Sequence, residues 1–119
     1  MRKDDILGLN LDHYPRQSFG AGDVVLSDGS ETDRMLVVID GRLGVDHAGK
    51  PLGPGEIVKS IEFFGASHYA GDVRGRGPGQ VAVLPRGAVR ACLDEQGAMT
   101  WNLACALAIE AIAASKEHA

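Results

Sequence analysis

The sequence lacks several features that mark whole classes of protein. No run of basic residues is longer than Arg2-Lys3, and 12 basic against 16 acidic residues give a net charge of −4, which excludes the basic surface of a nucleic-acid-binding domain. No stretch reaches the ~18 apolar residues of a membrane span, and the N-terminal residues hold no signal-peptide core. We therefore expect a cytoplasmic protein that contacts neither nucleic acid nor membrane.

Cysteine and catalytic motifs are equally scarce. Cys92 and Cys105 are the only cysteines, and without an export signal they are expected to be free thiols packed as small core residues. The four histidines stand alone in the sequence, so neither a metal nor another cofactor is predicted. No nucleophile elbow, Walker loop or dinucleotide fingerprint is present, and GRGPG at 75–79 is interpreted as a wide turn. No catalytic residue is assigned.

Glycine, in contrast, is abundant, with 16 in 119 residues scattered between short apolar or β-branched runs. Such punctuation predicts many short strands joined by tight turns. We predict a single mainly-β domain over 1–119, an antiparallel β-roll or jelly-roll barrel of about eight strands flanked by helices. Its expected parts are an N-terminal helix at 3–11, the β-roll at 14–84 with strands that include 57–58 and 70–74, and two C-terminal helices at 86–96 and 98–116.

The Asp40-Gly41 pair separates two of the predicted strands, 35–39 and 42–45. A two-residue Asp-Gly connection suits a type I′ turn, in which both central residues have positive φ. The sequence therefore predicts a β-hairpin at this point.

The last predicted helix is apolar nearly all round. One side carries Met99, Leu103, Ala106 and Leu107, and a β-roll of this size covers only one side of such a helix. We expect a homodimer through this helix, with a different protein partner or fuller burial in the monomer as alternatives. The expected interface residues lie on the other side: Trp101, Cys105, Ala108, Ile109 and Ile112.

Four phrases follow one another along the sequence: FGAGDVVL at 19–26, MLVVIDGRLGV at 35–45, LGPGEI at 52–57 and VAVLP at 81–85. In this order they resemble the cyclic-nucleotide-binding domain of the catabolite-activator superfamily. The resemblance covers about residues 11 to 114. It implies a β-roll with flanking helices and a regulatory role in signal transduction, in which the C-terminal helices move against the roll when a ligand binds. Family members that bind DNA carry a helix-turn-helix after the long helix, and the chain shows none, so no DNA reading is expected.

The family's phosphate cassette follows the third phrase, and here the residues depart from its pattern. Where the family has a Gly whose amide meets the phosphate and a Glu that holds the ribose, this chain has Lys59 and Ser60. Where the family has Arg, then Ser or Thr, then Ala, it has Tyr69, Ala70 and Gly71. Buried phosphate needs a charged, bidentate partner, and Tyr69 supplies none. Lys59, His68 or Arg74 could supply charge instead. The candidate ligand-binding residues are Lys59, Ser60, Ile61, Tyr69, Ala70, Gly71 and Asp72.

Together these features predict a non-enzymatic regulatory or ligand-sensing domain that binds cyclic AMP or cyclic GMP weakly or not at all. Its expected partners are a second copy of the chain, another regulatory protein or a different small molecule in the same cavity. A cupin-like metal-dependent enzyme and a purely structural dimerisation module are the alternatives from other classes.

Overall fold

The structure, a computed structural model, describes residues 5–6, 9–45 and 50–117. Strands and helices occur in the order β1 (Asp5–Ile6), β2 (Leu9–Asn10), a 3-10 turn (Leu11–His13), β3 (Arg16–Phe19), β4 (Val24–Leu26), β5 (Arg34–Asp40), β6 (Leu43–Val45), α1 (Ser60–Gly65), β7 (Val73–Gly75), β8 (Gly79–Pro85), α2 (Arg86–Gln96) and α3 (Thr100–Glu117).

Six of the strands form two antiparallel sheets of three, in the orders β3-β8-β5 and β4-β7-β6. Strand β8 is central in the first sheet, with Val37 of β5 opposite Ala82 and Gln17 of β3 opposite Val81. Residues 35–38 of β5 are all buried, although strand side chains alternate between faces. This follows because β5 contacts α1 and α2 as well as the rest of the sheet.

One buried apolar cluster joins the two sheets to the helices. It contains Val81 of the first sheet, Val73 of the second, Phe63 of α1 and Trp101 of α3. Cys92 and Cys105 form no disulfide, and both are partly buried and pack against this cluster. The helices therefore share the core of the sheets, and α1 and α3 are held where they can form one wall of a cleft.

The predicted N-terminal helix at 3–11 is wrong where the structure describes it. Ile6 pairs with Leu9 in an antiparallel ladder, and a 3-10 turn begins at Leu11 because the Asn10 side chain accepts the Asp12 amide (3.0 Å). Residues 3–4 and 7–8 lie outside the described residues. Nine residues rarely sustain an isolated helix, and Gly8 lowers the helical propensity further.

The predicted hairpin at Asp40-Gly41 is also wrong. Strand β5 pairs with β8 and strand β6 with β7, so the turn carries the chain from one sheet to the other. Only Gly41 has positive φ (83°), which excludes type I′. A Cβ at Gly41 would lie 2.6 Å from the carbonyl oxygen of Pro78, so the crossing requires a glycine.

Two further predicted strands are less extensive in the structure than the sequence predicts. Residues 57–58 contribute only an isolated bridge between Ile57 and Val37, and the strand expected at 70–74 is β7, Val73–Gly75. Within the described ranges the ladders join six strands into two sheets, and β1 pairs only with β2. The closed eight-stranded barrel stays a prediction.

The helices include one that the sequence analysis missed, the six-residue α1. Helix α2 begins directly after Pro85 and spans the predicted range 86–96. Helix α3 begins at Thr100 rather than residue 98, because the Thr100 amide first closes a turn to the carbonyl of Gly97 (3.1 Å).

Candidate functional site

A cleft of about 740 Å³ lies between β6, the segment at 50–59, α1 and α3. Its size is within the range of small-molecule sites. Its lining is mostly apolar, with a few polar and charged groups. The residues that line it are Val45, Lys50, Leu52, Ile57, Lys59, Ser60, Ile61, Glu62, Ala66, His68, Ala70, Ala111, Ile112 and Ser115.

Lys59 introduces α1 in an unusual backbone conformation. Its φ of 49° and ψ of 52° are left-handed, and no other non-glycine residue in the described ranges has positive φ. That conformation costs an L-residue about 1–2 kcal/mol and persists where the surroundings hold it. Here the Lys59 ammonium donates to the carbonyl of Ala70 and lies 3.6 Å from Oε1 of Glu62.

Glu62 completes this group from one turn further along α1. Its Oε2 accepts the backbone N–H of Ala70 at 2.8 Å. The N–H and C=O of Ala70 are therefore both satisfied by side chains of the same ion pair. We call Lys59, Glu62 and the Ala70 backbone the cleft triad.

The structure places four of the seven candidate ligand-binding residues in the cleft: Lys59, Ser60, Ile61 and Ala70. Tyr69 is not among the lining residues. Its side chain is 1% exposed in the core, where the hydroxyl donates to the carbonyl of Arg34 (2.7 Å). Burial raises the pKa of the Tyr69 hydroxyl well above its ordinary value near 10. Ala70 lines the cleft, whereas the side chain of the preceding Tyr69 lies in the core.

The other two candidates belong to a loop clasp outside the cleft. The Gly71 amide donates to Oδ1 of Asp28 (2.7 Å), and the Asp28 amide donates to Oδ1 of Asp72 (2.8 Å). Arg74 pairs with Asp72 at 3.0 Å and is half exposed. The clasp therefore ties two loops together and supplies no charge to the cleft.

Lys50, Glu62 and His68 are the charged or titratable lining residues absent from the candidate set. For His68 the sequence suggests only an alternative source of charge, or one of the isolated histidines that a cupin-like metal site would need. Glu62 could have been found from its spacing, since Lys59 and Glu62 are three residues apart and a helix brings such pairs together. That signal was missed because α1 itself was not predicted.

The described residues contain no group of three or more His, Cys, Asp or Glu side chains placed to hold a metal ion. The cupin-like alternative therefore gains no support from them.

Helix α3 turns most of the predicted interface inward. Trp101 and Ala108 are buried against their own chain, and Cys105 and Ile112 are partly buried. Of the five predicted residues only Ile109 is largely exposed, at 55%. The reason is that α1 presents the rings of Phe63 and Phe64 to Trp101 on this side of the helix. The outward apolar residues are Met99, Leu103, Leu107 and Ile109, all more than half exposed.

The inward side of α3 packs directly against α1, with no side chain of residue 65 between the two backbones. A Cβ at Gly65 would lie 2.8 Å from the backbone carbon of Ala108. Arg86 ties the same junction together, because its guanidinium donates to the carbonyls of Thr32 (3.0 Å) and Phe63 (2.6 Å) and lies 4.8 Å from the ring centre of Trp101.

This geometry defines the class of the protein. It is a β-roll with a cleft that a short helix and a long C-terminal helix help to form. The sequence profile of the cyclic nucleotide-binding domain family matches residues 16–96, more than half of the chain. The chain belongs to the cyclic nucleotide-binding domain family.

Solved structures share the fold. A transcriptional regulator of Thermotoga maritima matches with a TM-score of 0.68 and 14% identity, over 91% of this chain and 90% of that one. The N-terminal domain of a transcriptional regulator from Streptomyces coelicolor matches with a TM-score of 0.60 and 15% identity, over 90% and 78%.

The fold also matches part of a longer chain. The regulatory subunit of a cAMP-independent protein kinase A from Trypanosoma brucei, as a triple mutant bound to cAMP, matches with a TM-score of 0.58 and 21% identity, over 76% of this chain and 38% of that one. No curated protein matches the sequence.

In the part of the chain that the structure describes, no single helix is long and apolar enough to cross a membrane. Helices α2 and α3 meet the length and composition only as a pair, across a bend of 115°.

Proposed function

We propose that this protein is a non-enzymatic, ligand-sensing regulatory domain whose phosphate cassette is altered, so that it binds cyclic AMP and cyclic GMP weakly or not at all. The observation that carries the proposal is the placement of Tyr69. This residue stands where the family resemblance has an arginine, and its side chain lies in the core and not in the cleft.

Electrostatics supports the same conclusion. A cyclic phosphate carries a full negative charge, and removing that charge from water requires a charged, hydrogen-bonding partner. The Lys59 ammonium already contacts Ala70 and Glu62, and the Ala70 amide already donates to Glu62. A phosphate at this wall would meet the Glu62 carboxylate and would have to displace it.

The Trypanosoma brucei subunit offers a parallel. It is described as belonging to a cAMP-independent kinase, and its cAMP-bound form is a mutant in which one of three substitutions replaces threonine by arginine. That pairing of an introduced arginine with bound cyclic AMP supports the weight that we place on the missing guanidinium.

Isothermal titration calorimetry with cyclic AMP, cyclic GMP and a cyclic dinucleotide tests the proposal. We expect no saturable heat with either mononucleotide at micromolar concentrations, because the cleft lacks an available bidentate cation. A titration with 5′-AMP controls for non-specific nucleotide binding. Micromolar affinity for cyclic AMP or cyclic GMP, with none for 5′-AMP, would contradict the proposal.

We further propose that two copies associate through the outward side of α3. Leu103 and Leu107 are 59% and 57% exposed there, and Met99 extends the apolar surface toward the bend with α2. Apolar side chains in contact with water favour association, and a second copy presents the same surface. Because α3 also lines the cleft, the family's ligand-driven hinge would link cleft occupancy to this association. Cys92 and Cys105 form no disulfide, which fits a reducing cytoplasm.

Light scattering of the purified protein tests the dimer. We expect twice the chain mass of 12.5 kDa at micromolar concentration. The double variant Leu103→Glu/Leu107→Glu should be monomeric, since it places charges on the apolar surface. Ala91→Glu, at an exposed position of α2, is the matched control and should stay dimeric. A monomeric wild type would refute this part of the proposal.

A further inference from the structure

The polar groups on the cleft wall satisfy one another. In the cleft triad, Lys59 donates to the carbonyl of Ala70, Glu62 accepts its amide at 2.8 Å, and the two side chains approach to 3.6 Å. The side chains of Lys59 and Glu62 are only 12% and 28% exposed, so water screens their attraction incompletely. Positive and negative charge therefore cancel at the wall where an anion would need an excess of positive charge.

The buried polar side chains of the described residues already have partners. Among the described residues, every buried side-chain nitrogen or oxygen has a hydrogen-bond partner. A site built for a charged ligand commonly keeps donors that only the ligand satisfies. The described part of this cleft shows no such donor on a buried side chain.

The remaining basic side chains at the cleft are exposed. Lys50 and His68 both lie in contact with water, and Nδ1 of His68 is within 2.9 Å of the Ser67 hydroxyl. A solvated cation contributes little to binding, because the ligand and water compete for it. These two residues therefore do not replace a buried guanidinium.

Apart from Ser60 and Ser115, the rest of the lining is apolar, and it comes from several elements around the cleft. Leu52 and Ile57 line it from the sheet side, Ile61 from α1, and Ala111 and Ile112 from α3. Burial of apolar ligand surface against such residues is favourable by about 25 cal/mol per Å². The volume of about 740 Å³ admits a molecule of drug-like size.

From these observations we infer that the cleft binds an uncharged, largely apolar small molecule, and that Glu62 is the residue that determines this specificity. Glu62 does so by holding both cationic and N–H donors of the triad, so that neither is available to an anion. The inference deepens the proposed function, on which it rests, by naming the class of ligand for the same cleft.

Two fluorescent probes of nearly equal shape test the inference. N-phenyl-1-naphthylamine is uncharged, and 8-anilino-1-naphthalenesulfonate adds a sulfonate to the same aromatic skeleton. We expect the wild-type protein to bind the neutral probe more tightly than the sulfonate, by about tenfold. Equal affinities, or tighter binding of the sulfonate, would overturn the inference.

Glu62→Gln tests the specificity-determining role. The glutamine can still accept the Ala70 amide, so the fold is retained, but it no longer neutralises Lys59. We expect the affinity ratio to shift toward the sulfonate by about tenfold. Adding Lys59→Met in the same chain should abolish that shift, because the freed ammonium is its source. A ratio that is unchanged in Glu62→Gln would refute the role, with circular dichroism reporting that the variant is folded.

Two substitutions of alanine by phenylalanine show which surface binds the probes. Ala111→Phe fills the cleft from α3 and should remove binding of the neutral probe, whereas Ala113→Phe, at an exposed position that does not line the cleft, should retain it. The reverse result would place the probe on the outward side of α3 and refute the cleft assignment. Failure here is separable from failure of the proposed function, which shows as micromolar cyclic-mononucleotide binding by the wild-type protein.

Discussion

The two sides of α3 are similar in composition and opposite in structural role. Trp101 and Ala108 on the inward side are 6% and 7% exposed, whereas Met99 and Leu103 on the outward side are 67% and 59% exposed. Hydrophobicity does not distinguish them, since both sides are apolar. The inward side is selected by fit, because Trp101 packs edge-on against the rings of Phe63 and Phe64, with centroid distances of 6.3 and 5.6 Å.

Removal of the inward anchor should have the largest effect on stability. Trp101→Ala deletes a buried aromatic side chain and its contact with Arg86, so we expect a loss of about 3–5 kcal/mol in the free energy of unfolding. Urea unfolding followed by far-UV circular dichroism measures it. Trp101→Phe, which keeps a ring, should lose less. Asn102→Ala, at the exposed neighbouring position, should change the free energy by less than about 0.5 kcal/mol. Equal losses at 101 and 102 would contradict the inward assignment.

Disturbing the contact between α1 and the inward side of α3 should cause the next largest loss of stability. Gly65→Ala adds a methyl group 2.8 Å from the backbone of Ala108, and we expect overpacking to cost about 1–3 kcal/mol. Gly87→Ala, in α2 with open space around it, is the matched control and should stabilise by up to about 0.5 kcal/mol. Thermal unfolding of both variants separates steric from propensity effects. A Gly65→Ala protein as stable as the wild type would show that the helices are not in close contact.

The smallest effect concerns another inward and outward pair, Tyr69 and Ala70. Tyr69→Phe removes the hydrogen bond to the Arg34 carbonyl and should cost about 1 kcal/mol at neutral pH. Because burial raises the Tyr69 pKa, the unfolded state ionises first as the pH rises through about 10. The wild type should therefore lose stability above pH 10, by up to about 1.4 kcal/mol per pH unit, relative to Tyr69→Phe. Urea unfolding midpoints of both proteins, measured between pH 8 and pH 11, check this expectation. A difference between the two midpoints that does not change with pH would contradict it.

Local patterns in the sequence were sufficient for some of the elements. The apolar run at 35–39 marks the most buried strand, and Pro85 marks the start of α2, because each signal lies within the element that it predicts. Strand pairing is different, since it joins distant residues. Asp40-Gly41 has the composition of a hairpin turn, yet β5 finds its partner in β8, about 45 residues away in the chain.

The candidate site, like the fold, could be predicted from the sequence only in part. The position of Lys59 and Ala70 relative to the family phrases made them candidates, and both line the cleft. It could not show which way Tyr69 points, since side-chain direction depends on which strand or loop its backbone meets. Glu62 was missed because a six-residue helix carries too little periodicity to be recognised in a sequence.

The direct contact of Gly65 with the backbone of Ala108 has a consequence for how α1 and α3 can move. Where two helices touch through their backbones, no side chain can rotate to absorb a small displacement of either one. If a molecule in the cleft displaces Ile61 or Glu62, we expect this direct contact to carry the displacement from α1 to α3, on which Leu103 and Leu107 lie. The contact of Gly65 with Ala108 would thus link the cleft wall to the surface through which we propose that two copies associate.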